Sequence, residues 1–138
     1  MPTIREIEDK IIIAIQGTGD FGLVASLALV AKPIKTTEIS SAFVYFEKDI
    51  LQGEKTRPVY KNYFVVVAEY YLGKSEIDTY FAIDSLRDSL QGKTLGLTDI
   101  TPFICDSRTI TGFEEGIIQY SLVFTTNTYL PIPTGWRR

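Results

Sequence analysis

Residues 79–130, TYFAIDSLRDSLQGKTLGLTDITPFICDSRTITGFEEGIIQYSLVFTTNTYL, decide the fold. Ala82, Ile83, Leu86 and Leu90 recur at helical spacing and form the buried stripe of a short amphipathic helix capped by Asp78 or Thr79. Gly92 suits the position just past that helix, and Lys93 suits its negative dipole end. Short strands are expected over residues 103–106 and 108–111, followed by a turn carrying Glu114 and Glu115 between Gly112 and Gly116. The last strand is the clearest. Ile118, Tyr120, Leu122 and Phe124 point one way, and Gln119, Ser121 and Thr125 the other, with Val123 among them.

Working outward, residues 60–72 (YKNYFVVVAEYYL) read as a long strand apolar on both faces. That marks a central strand, covered on both sides by helices or by a neighbouring subunit. Residues 73–77 form the turn after it. Residues 41–46 (SAFVYF) read as another strand, and residues 49–57 as a polar loop or hairpin tip ahead of Pro58. Residues 3–16 open with Thr3-Ile4-Arg5-Glu6, a capping box. In such a box the Thr hydroxyl accepts from the Glu amide and the Glu carboxylate reaches back to the Thr amide. Ile4, Ile7, Ile11, Ala14 and Ile15 then recur at helical spacing, although Ile11-Ile12-Ile13 could also open a strand. Residues 23–31, apolar on nearly every side, read as a second, buried helix ended by Pro33. The expected architecture is one α+β domain over residues 1–130, a mixed and mostly antiparallel sheet flanked by two or three helices. An extended tail follows over residues 131–138, where Pro131 and Pro133 exclude a sheet interior. Trp136 in that tail, beside Arg137 and Arg138, has no local core to enter and reads as a docking residue.

Composition narrows the function. The chain of 138 residues is 45% hydrophobic, enough for a packed core, with a net charge of −3 that disfavours a general nucleic-acid surface. There is no histidine, which removes the commonest general base, the Ser–His and Cys–His pairs and most zinc sites. Cys105 is the sole cysteine, so no intrachain disulfide forms; in the apolar run PFIC it reads as a small core or sheet residue. No apolar run is long enough for a membrane helix. Glu6, Glu8 and Asp9 precede the first apolar run and argue against a signal peptide, which points to a reducing cytoplasm. Asp84 and Asp88 flank Arg87 on the polar face of their helix and read as solvated charge. No catalytic set and no cofactor or metal site emerges.

One motif points elsewhere. Residues 17–22, GTGDFG, match the glycine pattern of dinucleotide-binding turns, after KIIIAI and before an apolar run. A small dinucleotide-binding domain is therefore the alternative reading. Asp20 stands where a pyrophosphate would approach and would repel it. The capping box places a helix where the fingerprint needs a strand, and alternating βα units are missing.

Tyr80, Asp84, Leu86, Arg87, Leu90, Gly92, Leu95, Gly96 and Leu97, then Pro102, then Tyr120, Leu122, Phe124 and Thr126, form a pattern that resembles the tail tube terminator family of Mu-like, contractile-tailed bacteriophages. The opening helix IREIEDKIIIAI and the strand SAFVYFE look similar to the same family's opening. The Gly-rich residues 17–22 and the Pro/Trp/Arg tail have no counterpart in that pattern. The resemblance implies a virion structural subunit without enzymatic activity. Copies of it, a homohexamer, would form a ring that caps the tail tube, ends its growth, and offers surfaces to the neck or connector protein and to the tail sheath. DNA would slide through the lumen without specific binding, which the acidic balance suits. Closed rings need two different patches that meet. The expected interface residues are Glu54, Lys55 and Arg57 in the polar loop, Tyr70 on the long strand, and Trp136 and Arg137 in the tail.

Overall fold

The computed structural model describes residues 1–29, 40–53, 58–71, 79–114 and 116–129. Helix α1 (Ile4–Gln16) starts as its sequence dictates. The Glu6 amide donates to Thr3 Oγ1 at 3.1 Å and the Thr3 amide to Glu6 Oε1 at 3.2 Å, so both halves of the capping box are made. Ile7, Ile11 and Ile15 are buried along one face. The helix, and not a strand from Ile11, continues to Gln16. The chain then turns through Gly19, whose φ of +75° a side chain would resist.

Strand β1 (Leu23–Ser26) and a short 3₁₀ turn (Leu27–Leu29) stand where a second buried helix was expected. The apolar run was too short for its periodicity to separate strand from helix. Pairing decided it: the Gly22 amide donates to Ser40 O at 2.8 Å, and Leu23–Ser26 lie parallel to Ser41–Val44. Residues 30, 31 and Pro33 of that expectation lie outside the described residues.

Strand β2 (Ser41–Gln52) is twice as long as expected, because the polar residues after Phe46 continue the ladder against Tyr63 to Val59. Of the expected loop, Gly53 follows β2 at φ +84°, and residues 54–57 lie outside the described residues. Strand β3 (Val59–Tyr71) begins one residue before the expected strand, whose last residue, 72, lies outside the described residues. The 73–77 turn and Asp78 lie outside the described residues. Helix α2 (Thr79–Leu90) buries Ala82, Ile83, Leu86 and Leu90 as its stripe requires, and Gly92 follows it at φ +73°. Strand β4 (Ile104–Glu114) joins the two short strands expected there, absorbing the mismatch as irregularities at Cys105/Ser107 and Ile110/Gly112. Gly116, at φ +80°, turns the chain into β5 (Ile117–Tyr129).

The five strands form one mixed sheet in the order β1-β2-β3-β5-β4, with β1 and β2 parallel and every other pair antiparallel. This is an α+β fold in a single domain. Register keeps the inward residues in phase across the sheet: Val44, Val66 and Leu122 align, as do Ala42, Ala68 and Tyr120. These residues meet Ile7, Ile11 and Ile15 of α1 and Ala82, Leu86 and Leu90 of α2 in one core that also takes in Phe64, Phe103 and Phe124. Both helices therefore cover the same face. Among the described residues no helix lies on the opposite face of β3, for which helices or a neighbouring subunit were the two covers expected.

Residues 91–103 are strapped to the far end of β5. The Thr126 hydroxyl donates to Thr101 O at 2.6 Å, and the Asn127 amide donates to the Thr101 hydroxyl at 2.9 Å. Beneath them Asn62 donates its side-chain amide to Thr126 O at 3.2 Å and to Thr128 Oγ1 at 2.9 Å, which satisfies a polar group buried in the sheet.

Candidate assembly surfaces

A sheet with helices on one side leaves its other side to be explained. The odd-numbered residues of β3 and their partners make this open face. Tyr45, Val65 and Val123 align across β2, β3 and β5, and Phe43, Val67 and Ser121 align beside them. The apolar centre has charged ends. Lys48 Nζ lies 4.9 Å, and Lys61 Nζ 5.4 Å, from the Tyr63 ring centroid at one end. At the other end Gln119 donates to Glu69 Oε1 at 2.9 Å. The face is thus apolar along its middle and opposite in charge at its two ends.

The β4 edge is the second surface. Nearly every residue of this long strand is exposed, and its outer backbone groups have no strand partner among the described residues. Phe113 is 73% exposed, with Ile104, Ile110 and, on α2, Tyr80 and Phe81 also exposed. Natural edge strands of this length are guarded by charge, a bulge or a covering element, because an open ladder invites another chain. Here two irregularities twist the edge, and Arg108 is drawn back onto α2, its Nη1 2.6 Å from Asp84 Oδ1. Behind that pair a cleft of about 370 Å³ opens between α2 and β4, floored by Tyr120 and Leu122. Arg87 is raised above its ordinary pKa, chiefly by its hydrogen bond to Asp88. Burial raises the Cys105 thiol, against the opposing pull of Arg108 and Arg87. Cys105 sits half-buried on β4, where its amide donates to Gln91 Oε1 at 2.8 Å.

The third surface lies at the opposite end of the sheet. A groove of about 580 Å³ runs between α1, the 3₁₀ turn and β2, walled by Ile4, Leu27, Tyr45 and Phe46 with Glu8 at its base. Glu8 is only 3% exposed, and its Oε1 is buried without a hydrogen-bond partner among the described residues. The nearest opposite charge is Arg5 Nη1, 3.7 Å away.

The expected interface residues divide. Glu54, Lys55, Arg57, Trp136 and Arg137 lie outside the described residues. Tyr70 belongs to the chain's own core: it is 3% exposed, with its ring edge-on to Phe21 at 6.3 Å, and its even-numbered position faces the helices. The exposed edge built from Phe113 and Ile110 was missed, whereas β3 was expected to carry a patch that meets a neighbour. An aromatic inside the charged turn GFEEG was the available signal for Phe113. Glu8 shares a helical face with Ile4, Ile11 and Ile15, so its burial was also readable from spacing.

The glycine-rich residues 17–22 connect a helix to a strand, α1 to β1. A dinucleotide turn needs the reverse order, because the helix following the glycines supplies the amides that hold the pyrophosphate. Asp20 Oδ2 is buried there, and its charge helps raise the Tyr120 hydroxyl above the ordinary tyrosine range, after the larger effect of burial. No group of three or more His, Cys, Asp or Glu side chains with metal-binding geometry occurs among the described residues. Among the same residues no helix is long and apolar enough to cross a membrane.

No family model matches the chain, and no curated protein matches it in sequence. Its fold does have a solved counterpart. A chain in the structure described as "Virion of native gene transfer agent (GTA) particle" superposes with a TM-score of 0.60 at 12% identity, over 92% of this chain and 95% of the other. At that identity the likeness is one of fold.

Proposed function

We propose that this protein is a structural subunit of a phage-like tail, forming a ring that caps the tail tube, ends its polymerisation and joins the tail to the neck. The observation that carries the reading is the end-to-end fold match to a chain of a virion particle, with neither chain leaving a large part unmatched. The residue pattern of the tail terminator family points the same way. The surfaces fit a ring. A head-to-tail interface brings together two different patches of one molecule, and the β4 edge with Phe113 lies at the opposite end of the sheet from β1 and the α1 groove. The open face of β3, apolar in the middle and charged at both ends, is the surface for a tube, neck or sheath partner. The ring is a homohexamer, and it resides in the virion at the tube–neck junction.

The test is assembly in solution. Light scattering on purified protein should give the mass of a closed ring, and Phe113→Asp should reduce it to the monomer while leaving the circular dichroism unchanged. A wild-type mass that Phe113→Asp leaves unaltered removes the β4 edge from the interface. A strict monomer at every concentration, with and without tube protein, contradicts the ring itself.

A further inference from the structure

The groove at α1 combines two features that ask for one kind of occupant. Its walls expose apolar surface, with Ile4 43% and Leu27 46% exposed, and its base holds the buried Glu8 Oε1, without a hydrogen-bond partner among the described residues. A carboxylate removed from water needs donors close by. Arg5, half-exposed and 3.7 Å away, does not supply a hydrogen bond. The complementary ligand has an apolar body and a cationic end.

The chain's own terminus has that chemistry. Residues 130–138 read LPIPTGWRR, the only tryptophan followed directly by two arginines. Where the described chain ends also matters. The Tyr129 amide donates to Asp99 O at 3.3 Å, and the Asp99 carboxylate holds the Met1 ammonium at 3.5 Å. The end of β5 therefore sits beside the segment that leads into α1 at Ile4. The seven residues from Tyr129 to Trp136 can span at most about 25 Å.

We propose that residues 130–138 dock in the α1 groove of their own chain, with Trp136 between Ile4, Leu27 and Phe46 and Arg137 donating to Glu8. An arginine fork matches a carboxylate with two parallel N–H donors, so one side chain would satisfy the buried oxygen. The docked segment would close the apolar wall beside β1. The inference stands apart from ring formation, since it concerns one chain.

Trp136 is the sole tryptophan, so the intrinsic emission of the unlabelled full chain reports its surroundings alone. The experiment compares emission and acrylamide quenching of wild type, Leu27→Asp, Glu8→Gln and Arg137→Glu, with light scattering on the same samples. Docking predicts a blue-shifted, poorly quenched wild type whose emission does not change with concentration. All three variants should shift to the red and quench several-fold more readily, with unchanged circular dichroism. Arg137→Glu lies outside the folded core and keeps the test open if a groove variant fails to fold. Wild-type emission already at the position of the urea-unfolded chain overturns the proposal, as does emission indifferent to Leu27→Asp and Arg137→Glu. A blue shift that appears only as concentration rises assigns the groove to the terminus of a second copy and overturns docking within one chain. Loss of the ring with emission unchanged counts against the assembly reading alone.

Discussion

Val66 and Val67 are neighbours in a run of three valines, and replacing each by alanine separates the two faces of the sheet. Val66 is fully buried, in register with Val44 and Leu122 beneath the helices. Val67 lies on the open face and keeps partial exposure. Val→Ala deletes two methyl groups, about 0.8 kcal/mol each in transfer alone. At Val66 a cavity between β3 and the helices adds to that, so the cost should be about 2–3 kcal/mol. At Val67 no helix among the described residues closes over the site; the loss is partial and about 0.5–1 kcal/mol. With about 2.1 cal/mol/K of unfolding entropy per residue, a chain of 138 residues loses about 3.5 °C of Tm per kcal/mol. Thermal unfolding of dilute protein should therefore place Val66→Ala about 7–10 °C below wild type, and Val67→Ala less than about 4 °C below it. Equal losses at the two positions would refute the one-sided arrangement of helices. In the assembled protein Val67→Ala should weaken association with a tube or neck partner, whereas Val66→Ala should act only through folding.

Further outcomes are expected. Thr3→Ala removes the hydroxyl that accepts from the Glu6 amide and should cost about 1 kcal/mol, read as a lower urea midpoint with an unchanged slope. Arg108 and Asp84 are both partly exposed, so a double-mutant cycle should return a coupling of about 0.2–1 kcal/mol that shrinks with added salt. The Tyr120 hydroxyl is raised by burial first and by Asp20 second. The folded state therefore holds its proton when the unfolded chain has released it. The stability this group contributes is complete below about pH 10 and falls as pH rises above it. Urea titrations at neutral and strongly alkaline pH should show a smaller loss in Tyr120→Phe than in wild type. Because that hydroxyl has no hydrogen-bond partner among the described residues, Tyr120→Phe should also be neutral or stabilising near neutral pH.

Where local chemistry and tertiary packing agree, the chain was readable. The capping box fixed α1, the Ala82–Ile83–Leu86–Leu90 stripe fixed α2, and the alternation from Ile118 to Phe124 fixed both β5 and its inward face. Residues 23–29 were not readable, because a short apolar run carries no period of its own and became β1 only by pairing with β2. The polar half of β2 was hidden for the opposite reason: its residues are exposed, and backbone pairing to β3 extends the strand past the core. The apolar odd face of β3 was visible as a strand apolar on both sides, but which side the helices take depends on the register of four strands. Of the candidate surfaces, the aromatic in the GFEEG turn and the carboxylate on the isoleucine face of α1 were present in the sequence. Their exposure and burial follow only from the sheet order, which puts β4 at the edge and α1 over β2.

The most direct test of the central claim is electron microscopy of the purified chain mixed with its tail tube protein. Six-fold rings, alone and seated on the ends of tubes whose lengths stop growing, are the predicted result. Isolated particles that leave tube ends bare and tube growth unchecked would contradict it.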